Sequence, residues 1–237
     1  MSSLTDLRFF TTPSHDCSYI DGKKAVTLFV DPAAEIDTPT YTELSAVGFR
    51  RSGTHLYRPY CESCSACIPV RIPVANFVHQ RRQRRITRRN DDVRIDLKEA
   101  RFSEEHYVLY ARYINERHQD GDMFPPSPEQ FRSFLVDGRP EAVFVEMRDA
   151  EDRLLAIAVV DRLEDSLSAI YTFFDPDCGR RSLGVFAVLS LISMARDLHL
   201  PYLYLGYWIK QCQKMSYKTD YQPIELFIDN RWLPLDR

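Results

Sequence analysis

The sequence predicts an α+β protein in two parts: an N-terminal mixed domain with a cysteine loop (residues 1–92), followed by a second mixed domain (residues 93–237). Three observations predict this. Strand-like alternation and capped helical stretches succeed each other along all 237 residues with no repeat and no long linker. A polar loop with three cysteines and a run of arginines falls in the first part, and the order of elements becomes regular only from Val93 onward. A composition of 44% hydrophobic and 27% charged residues with 8 glycines excludes collagen-like, coiled-coil and disordered classes. A chain of this length can bury a core without crosslinks. No apolar run approaches the roughly 18 residues of a membrane span. The opening MSSLTDLRFFTTPSHD lacks the basic-then-apolar order of a signal peptide, so a cytoplasmic chain with no membrane partner is expected. Its six cysteines are then reduced, metal-bound or reactive.

Ala25 to Val30 alternates like a strand. Thr38-Pro39 reads as an N-cap followed by proline in the first turn, and Gly48 closes that helix. Phe49 to Tyr57 and Ile68 to Val74 read as further strands, with Cys61, Cys64 and Cys67 in the polar loop between them. RRQRRITRR from Arg81 consists of good helix formers and predicts a helix that is arginine over most of its surface. The net charge of −3 conceals this concentration. Between Arg50 and Arg89 stand ten arginines and one acid, Glu62, a local balance of +9. Charge so segregated points to an anionic partner, with a merely solvated helix face as the bland alternative. Arginine outnumbers lysine 25 to 6, and its planar fork suits phosphate and carboxylate.

From Val93 the order is the strand VRIDL, a helix over 103–118 behind Ser103, and a helix over 128–137 behind Ser127-Pro128. Three strands follow, at Ala142 to Met147, Leu154 to Asp161 and Ser168 to Phe174. A helix from about Ser182 to Leu198, a strand from Tyr202, a short helix near 212–220 and strands at 224–228 and 231–234 complete it. That order is the order of a GNAT-type acyltransferase domain. In acetyltransferases of that fold, an Arg or Gln is followed two residues later by Gly and then, after one more, by Gly or Ala. This loop opens the helix after the fourth strand and holds the pyrophosphate of coenzyme A on backbone N–H groups. The matching stretch is Arg181-Ser-Leu-Gly184-Val-Phe186, and a phenylalanine in the last position is expected to obstruct the pyrophosphate.

A phosphate-bearing donor other than coenzyme A, together with the arginine patch, points to an aminoacyl-tRNA. The stretches CSYIDG, YTELSAVGFRRSGTHLYRPYCESCSACIPVRIPV, AIYTFFDP, SLGVFAVLSLI and YLYLGYWIKQCQKMSYKTDYQPIEL resemble the arginyl-tRNA-protein transferase family, specifically its short bacterial branch. The resemblance covers nearly the whole chain. It implies transfer of leucine from Leu-tRNA to the N-terminal amine of proteins beginning with Asp or Glu, which marks them for degradation in an N-degron pathway. No cofactor is required for that step. An arginyl-tRNA donor, a coenzyme A-dependent N-acetyltransferase and a non-catalytic RNA-binding module are the alternatives.

Under that implied reaction the acceptor amine attacks the ester carbonyl and the ribose 3′ oxygen leaves. An α-amine titrates near ~8, so a weak base suffices. Backbone N–H groups at Thr172 to Phe174 and Leu205 to Tyr207, where the fourth and fifth strands splay, are placed beside the reaction centre. Asp161 and Asp175 are the candidates to orient or deprotonate the amine, and Tyr171 and Tyr207 to donate to the leaving oxygen. An acidic acceptor calls for a cation. The candidates are Arg50 and Arg51, with Arg58 and Arg71 behind them, and strand alternation allows only one of Arg50 and Arg51 to enter the pocket. Lys210, Lys214 and Lys218 recur every four residues, as on one helix face, and with Arg81, Arg82, Arg84, Arg85, Arg88 and Arg89 are expected to meet tRNA phosphates. Cys61, Cys64 and Cys67 match three ligands of an iron-sulfur or zinc site, with Cys17 or His55 as a fourth. Related transferases are linked with iron-sulfur binding there. Cys178 and Cys212 read as isolated structural thiols.

Overall fold

A computed structural model of the chain describes residues 4–235. Its first part holds a four-stranded antiparallel sheet, in the order β1 (Phe9–Thr11), β4 (Thr27–Val30), β6 (His55–Pro59), β5 (Arg50–Ser52), and a small ladder of β2 (His15–Asp16) with β3 (Lys24–Ala25). Helix α1 (Thr38–Ala46) packs Tyr41 and Leu44 against Val30, Phe49 and Leu56. Its cap is Asp37, whose carboxylate accepts from the Thr40 N–H at 2.9 Å, one residue earlier than expected. The stretch expected as one strand from Phe49 is a hairpin, because Gly53, at φ +58°, turns the chain. Among the described residues no helix is long and apolar enough to cross a membrane.

Strand β7 (Ile68–Pro73) leaves this unit and enters an eight-stranded sheet, in the order β14, β13, β7, β12, β11, β10, β9, β8. Helix α2 (Arg81–Arg89) follows β7, and β8 (Arg94–Glu99) then forms one edge of the sheet. The rest comes in the expected order: α3 (Glu104–Arg117), α4 (Pro128–Phe131), β9 (Ala142–Arg148), β10 (Leu154–Arg162), β11 (Ser166–Phe174), α5 (Leu183–Asp197), β12 (Tyr202–Trp208), α6 (Gln213–Ser216), β13 (Glu225–Ile228) and β14 (Arg231–Pro234). Apolar side chains cover both faces of β10, so its run LLAIAVV reads without alternation. One face packs on α5 through Ala158, Val160, Leu189 and Ile192. The other packs on α3 and α4 through Ile157, Val159, Tyr110 and Phe131.

Among the described residues only β11 and β12 pair in parallel, and their register runs just from Ser166↔Tyr202 to Ser168↔Tyr204. Beyond it they diverge, as expected, leaving facing strand edges unpaired with each other. In β12 the register against β7 slips by one residue between Tyr204 and Gly206, where Gly206 has φ +79°. That bulge has a direct consequence: Tyr204 and Tyr207, which strict alternation would place on opposite faces, both adjoin Arg50.

Candidate active site

Arg50 and Arg51 follow each other on β5, and both are buried, each 4% exposed. Arg51 points toward the end of β10. Its Nε and Nη2 hold the two oxygens of Asp161 at 2.7 and 2.9 Å, and Nη1 reaches the Gly53 and Phe134 carbonyls. The Tyr41 hydroxyl donates to the same carboxylate at 2.6 Å. Asp161 is thus enclosed and fully paired. It faces Ser168 in the sheet, whereas Asp175 lies seven residues further along, past the end of β11. At ~3.3 Å per residue the two carboxylates stand roughly 23 Å apart, too far to serve one reacting amine.

Arg50 points the other way and is not neutralised. Its Nη1 donates to the Ser45 and Phe49 carbonyls at 3.2 and 2.5 Å, and its guanidinium lies 4.5 Å from the centroid of the Tyr204 ring. Nε and Nη2 are buried without a hydrogen-bond partner. They form the edge of the guanidinium with which Arg51, one residue on, grips Asp161. Burial pulls the Arg50 pKa down, opposed by the phenols of Tyr207, Tyr204, Tyr41 and Tyr57. Arg71 is already satisfied, with Nε 2.6 Å from Glu225 and its guanidinium stacked on Tyr202 and near Trp232. Arg58 donates to the Val47 carbonyl. Of the four, Arg50 and Arg58 have no carboxylate partner, and Arg50 is the buried one whose Nε and Nη2 are left unpaired.

The tyrosines divide likewise. Tyr171 and Tyr207 each stand three residues past the last paired residues of β11 and β12. The Tyr207 hydroxyl donates to the Gly48 carbonyl at 2.9 Å, with the Tyr57 carbonyl 3.2 Å away. The Tyr171 hydroxyl is buried and unpartnered among the rings of Tyr110, Tyr113, Phe134 and Phe173, and burial raises its pKa. Asp175 caps the turn that follows β11 by accepting from the Asp177 N–H at 3.0 Å, and Arg112 lies 3.4 Å away.

The expected lysine face does not form. Lys210 is exposed in a turn, Lys214 lies in the one-turn α6 and pairs with Asp120 at 2.7 Å, and Lys218 is buried in a separate 3-10 turn, Tyr217–Asp220. Spacing by four stacks side chains only along a continuous α-helix, and here Lys210 lies before the helix and Lys218 falls where it tightens from α to 3-10 at Tyr217. The arginine helix does form. Gln83 and Ile86 are its only buried residues, and Arg81, Arg82, Arg84, Arg85, Arg88 and Arg89 are all exposed.

Cys17, Cys61, Cys64 and Cys67 line one cavity of about 810 Å³ with Tyr19, Tyr57 and Tyr207 in its wall. Burial, reinforced by Cys17, Cys61, Cys64 and Cys212, pushes the Cys67 thiol up to about 12. Cys212, read as isolated, lies near enough to add to that rise but does not line the cavity. Thiol donors suit zinc or an iron-sulfur cluster in kind, but among the described residues no three His, Cys, Asp or Glu side chains are disposed to hold a metal ion.

Comparison with known proteins matches residues 15–85 to the model "Arginine-tRNA-protein transferase, N terminus" and residues 105–228 to "Arginine-tRNA-protein transferase, C terminus". The chain belongs to the arginine-tRNA-protein transferase family. The aspartate/glutamate leucyltransferases of Hahella chejuensis and Marinobacter nauticus are 53% and 56% identical to it. The first alignment covers 99% of this chain and all of the relative, the second 98% of each. That of Pseudomonas aeruginosa PAO1 is 54% identical over 99% of this chain and all of its own. Among solved structures, L-PGS from Bacillus licheniformis overlaps 61% of this chain and 47% of its own at 11% identity and a TM-score of 0.48, too loose a likeness to carry an argument.

As a member of this family the chain is an aminoacyltransferase with an aminoacyl-tRNA donor and a protein acceptor. Phe186 lies in the first turn of α5 and is buried in the core on which that helix packs, so it does not stand in the loop that opens the helix. Membership of an aminoacyl-tRNA-dependent family, and not that side chain, sets this chain apart from coenzyme A-dependent acetyltransferases.

Proposed function

We propose that this chain transfers leucine from Leu-tRNA to the N-terminal amine of proteins beginning with Asp or Glu, in the cytoplasm, as the first mark of an N-degron. The observation that carries the acidic preference is the fork of Arg50, buried and unpaired beside the cavity wall formed by Tyr57 and Tyr207. A carboxylate satisfies that fork, whereas the amide of Asn or Gln brings no charge and opposes part of it with its own donors. In this reading the four-stranded sheet of the N-terminal part, with Arg50 on β5, reads the acceptor. Residues 93–237 act as a GNAT-like aminoacyl-transfer domain, and the splay of β11 and β12 supplies backbone donors to the oxyanion. Tyr171, whose hydroxyl is free to donate, is assigned to the leaving 3′ oxygen. Asp161 is assigned to holding Arg51 and α1 in place, and Asp175 remains the carboxylate nearest the end of the splay. The test is purified protein with a panel of charged tRNAs and peptides beginning with Asp, Glu, Asn, Arg or Ala. Transfer from Leu-tRNA to the Asp and Glu peptides alone is expected. Arg-tRNA as the efficient donor would overturn the leucine assignment, and acetyl-coenzyme A as a donor would overturn the reaction class.

The exposed arginines of α2 and the exposed Lys210 and Lys214 are assigned to the phosphates of the tRNA acceptor arm. Each duplex phosphate neutralised adds roughly −0.9 to the log-log slope of affinity against salt. Arg81→Ala with Arg85→Ala and Arg88→Ala is expected to flatten that slope by about 2 to 3 while transfer at low salt persists. An unchanged slope removes α2 from the interface.

Transfer needs no cofactor in this proposal. Zinc or an iron-sulfur cluster at Cys17, Cys61, Cys64 and Cys67 is proposed as a structural occupant, supported by their common cavity. Occupancy requires the Cys61–Cys67 loop to draw its thiols together. Anaerobically purified protein is expected to contain metal that a Cys61→Ser, Cys64→Ser double variant lacks. Metal-free, fully active protein would leave them as plain thiols.

A further inference from the structure

The eight-stranded sheet ends at β8 with one edge unpaired. That strand pairs with β9 in an unbroken antiparallel register, from Arg94↔Arg148 to Glu99↔Val143, and among the described residues no strand lies beyond it. Such an edge is a row of free N–H and C=O groups, which proteins blunt with proline, a bulge or repelling charges. β8 has no proline and no bulge, and its charges alternate in sign from Arg94 to Lys98. Ile95 and Leu97 stand opposite Met147 and Val145, on the face of the sheet that packs on α5, yet they are 44% and 46% exposed. Arg94, Asp96 and Lys98 take the other face. Arg94 is held by Asp96 at 2.8 Å and by Asp152 at 2.6 Å, whereas Lys98 has no ion pair among the described residues.

We infer that a second copy of this chain docks on β8, strand against antiparallel strand, about a two-fold axis that passes through Ile95. The argument is charge complementarity. In an antiparallel pair related by such an axis, each residue meets a residue of the same face in the other copy. An axis at Arg94, Asp96 or Lys98 sets that charge against itself. An axis at Leu97 sets Ile95 against Glu99. With the axis at Ile95, that side chain meets its own counterpart, Val93 meets Leu97, and Arg94 meets Asp96 of the second copy. Unlike charges and apolar pairs placed directly opposite each other are the contacts that stabilise a ladder. The Arg94–Asp96 pair within each chain thus extends into a ring of two arginines and two aspartates. Lys98 comes opposite Asp92, which stands just ahead of the strand and is held by Arg181 at 2.8 Å. The joint also withdraws the exposed Ile95 and Leu97 from water.

The test is sedimentation velocity of the full chain across the micromolar range, at low salt and with a reductant that keeps its six cysteines from crosslinking. Wild-type protein is expected to move toward twice the monomer mass as its concentration rises. Arg94→Asp sets aspartate against aspartate across the joint, and Asp96→Arg sets arginine against arginine. Each variant alone is therefore expected to stay monomeric where the wild type is dimeric. An equal mixture of the two restores unlike charges at every one of these positions and is expected to dimerise again. Both side chains reach solvent, at 56% and 29% exposure, so neither substitution threatens the core, and the mixture itself reports that the variants are folded. Wild-type protein that stays monomeric at the highest concentration overturns the inference and leaves the edge to water or to another protein's strand. Undiminished dimerisation of both single variants also overturns it, because the joint then lies elsewhere. Two monomeric variants that stay monomeric when mixed overturn the axis at Ile95, since no other feature of the inference predicts their recovery.

Discussion

Arg50→Met is expected to lower kcat/KM for an Asp-initiated peptide by about ten- to a hundredfold, with little change for the Asn peptide or for Leu-tRNA binding. A hydrogen bond to a charged group contributes about 1.5–3 kcal/mol, which is that range for the loss of one fork. The same substitution tells a functional role from a structural one. Arg50 keeps two buried donors unpaired, and a buried unsatisfied polar group costs about 1–3 kcal/mol. Methionine removes that cost and forfeits only the bonds to Ser45 and Phe49 and the stacking on Tyr204. Thermal stability is accordingly expected to hold or rise while selection of acidic N-termini collapses. A variant that unfolds and still prefers Asp over Asn would place the acidic reader elsewhere.

The neighbouring arginine is expected to behave in the opposite way. Asp161→Ala leaves Arg51 buried without its carboxylate and the Tyr41 hydroxyl without an acceptor, and breaking a buried pair by removing one partner costs about 3–5 kcal/mol. Arg51→Met should cost a similar amount for the mirror-image reason, and the two substitutions together should cost much less than their sum. A double-mutant cycle by chemical denaturation measures this. If Asp161→Asn instead left stability intact and abolished turnover, Asp161 would be the base that its position at the end of a strand first suggested.

Alternation along a strand was enough to separate Arg50 from Arg51 in advance, because two successive side chains on β5 cannot share a face. Which of the two is free was not legible. That is decided by Asp161, 110 residues away in sequence, which reaches Arg51 and not Arg50. Helices with explicit caps, such as α3 behind Ser103 and α4 behind Ser127, were readable because the capping side chain sits next to what it caps. The hairpin at Gly53 reads as one strand only if the turn signal Ser52-Gly53-Thr54, set in a run from Arg50 to His55 with no apolar residue, is passed over. Lys218 was misplaced because spacing by four implies a face only on a continuous α-helix, and here the helix tightens to 3-10 at Tyr217. Tyr204 and Cys212 were overlooked since nothing local marks them: the first owes its place to the bulge at Gly206, the second to the return of the chain toward Cys67.

The most direct measurement is a competition in one tube. Purified protein receives Leu-tRNA and equal amounts of two peptides that differ only in Asp or Asn at the first position, and the products are resolved by mass. The expected result is an added leucine on the Asp peptide in at least tenfold excess, an excess that Arg50→Met abolishes. Equal labelling of both peptides by the wild-type chain would contradict the proposal that a buried, unpaired arginine fork reads the acceptor's carboxylate.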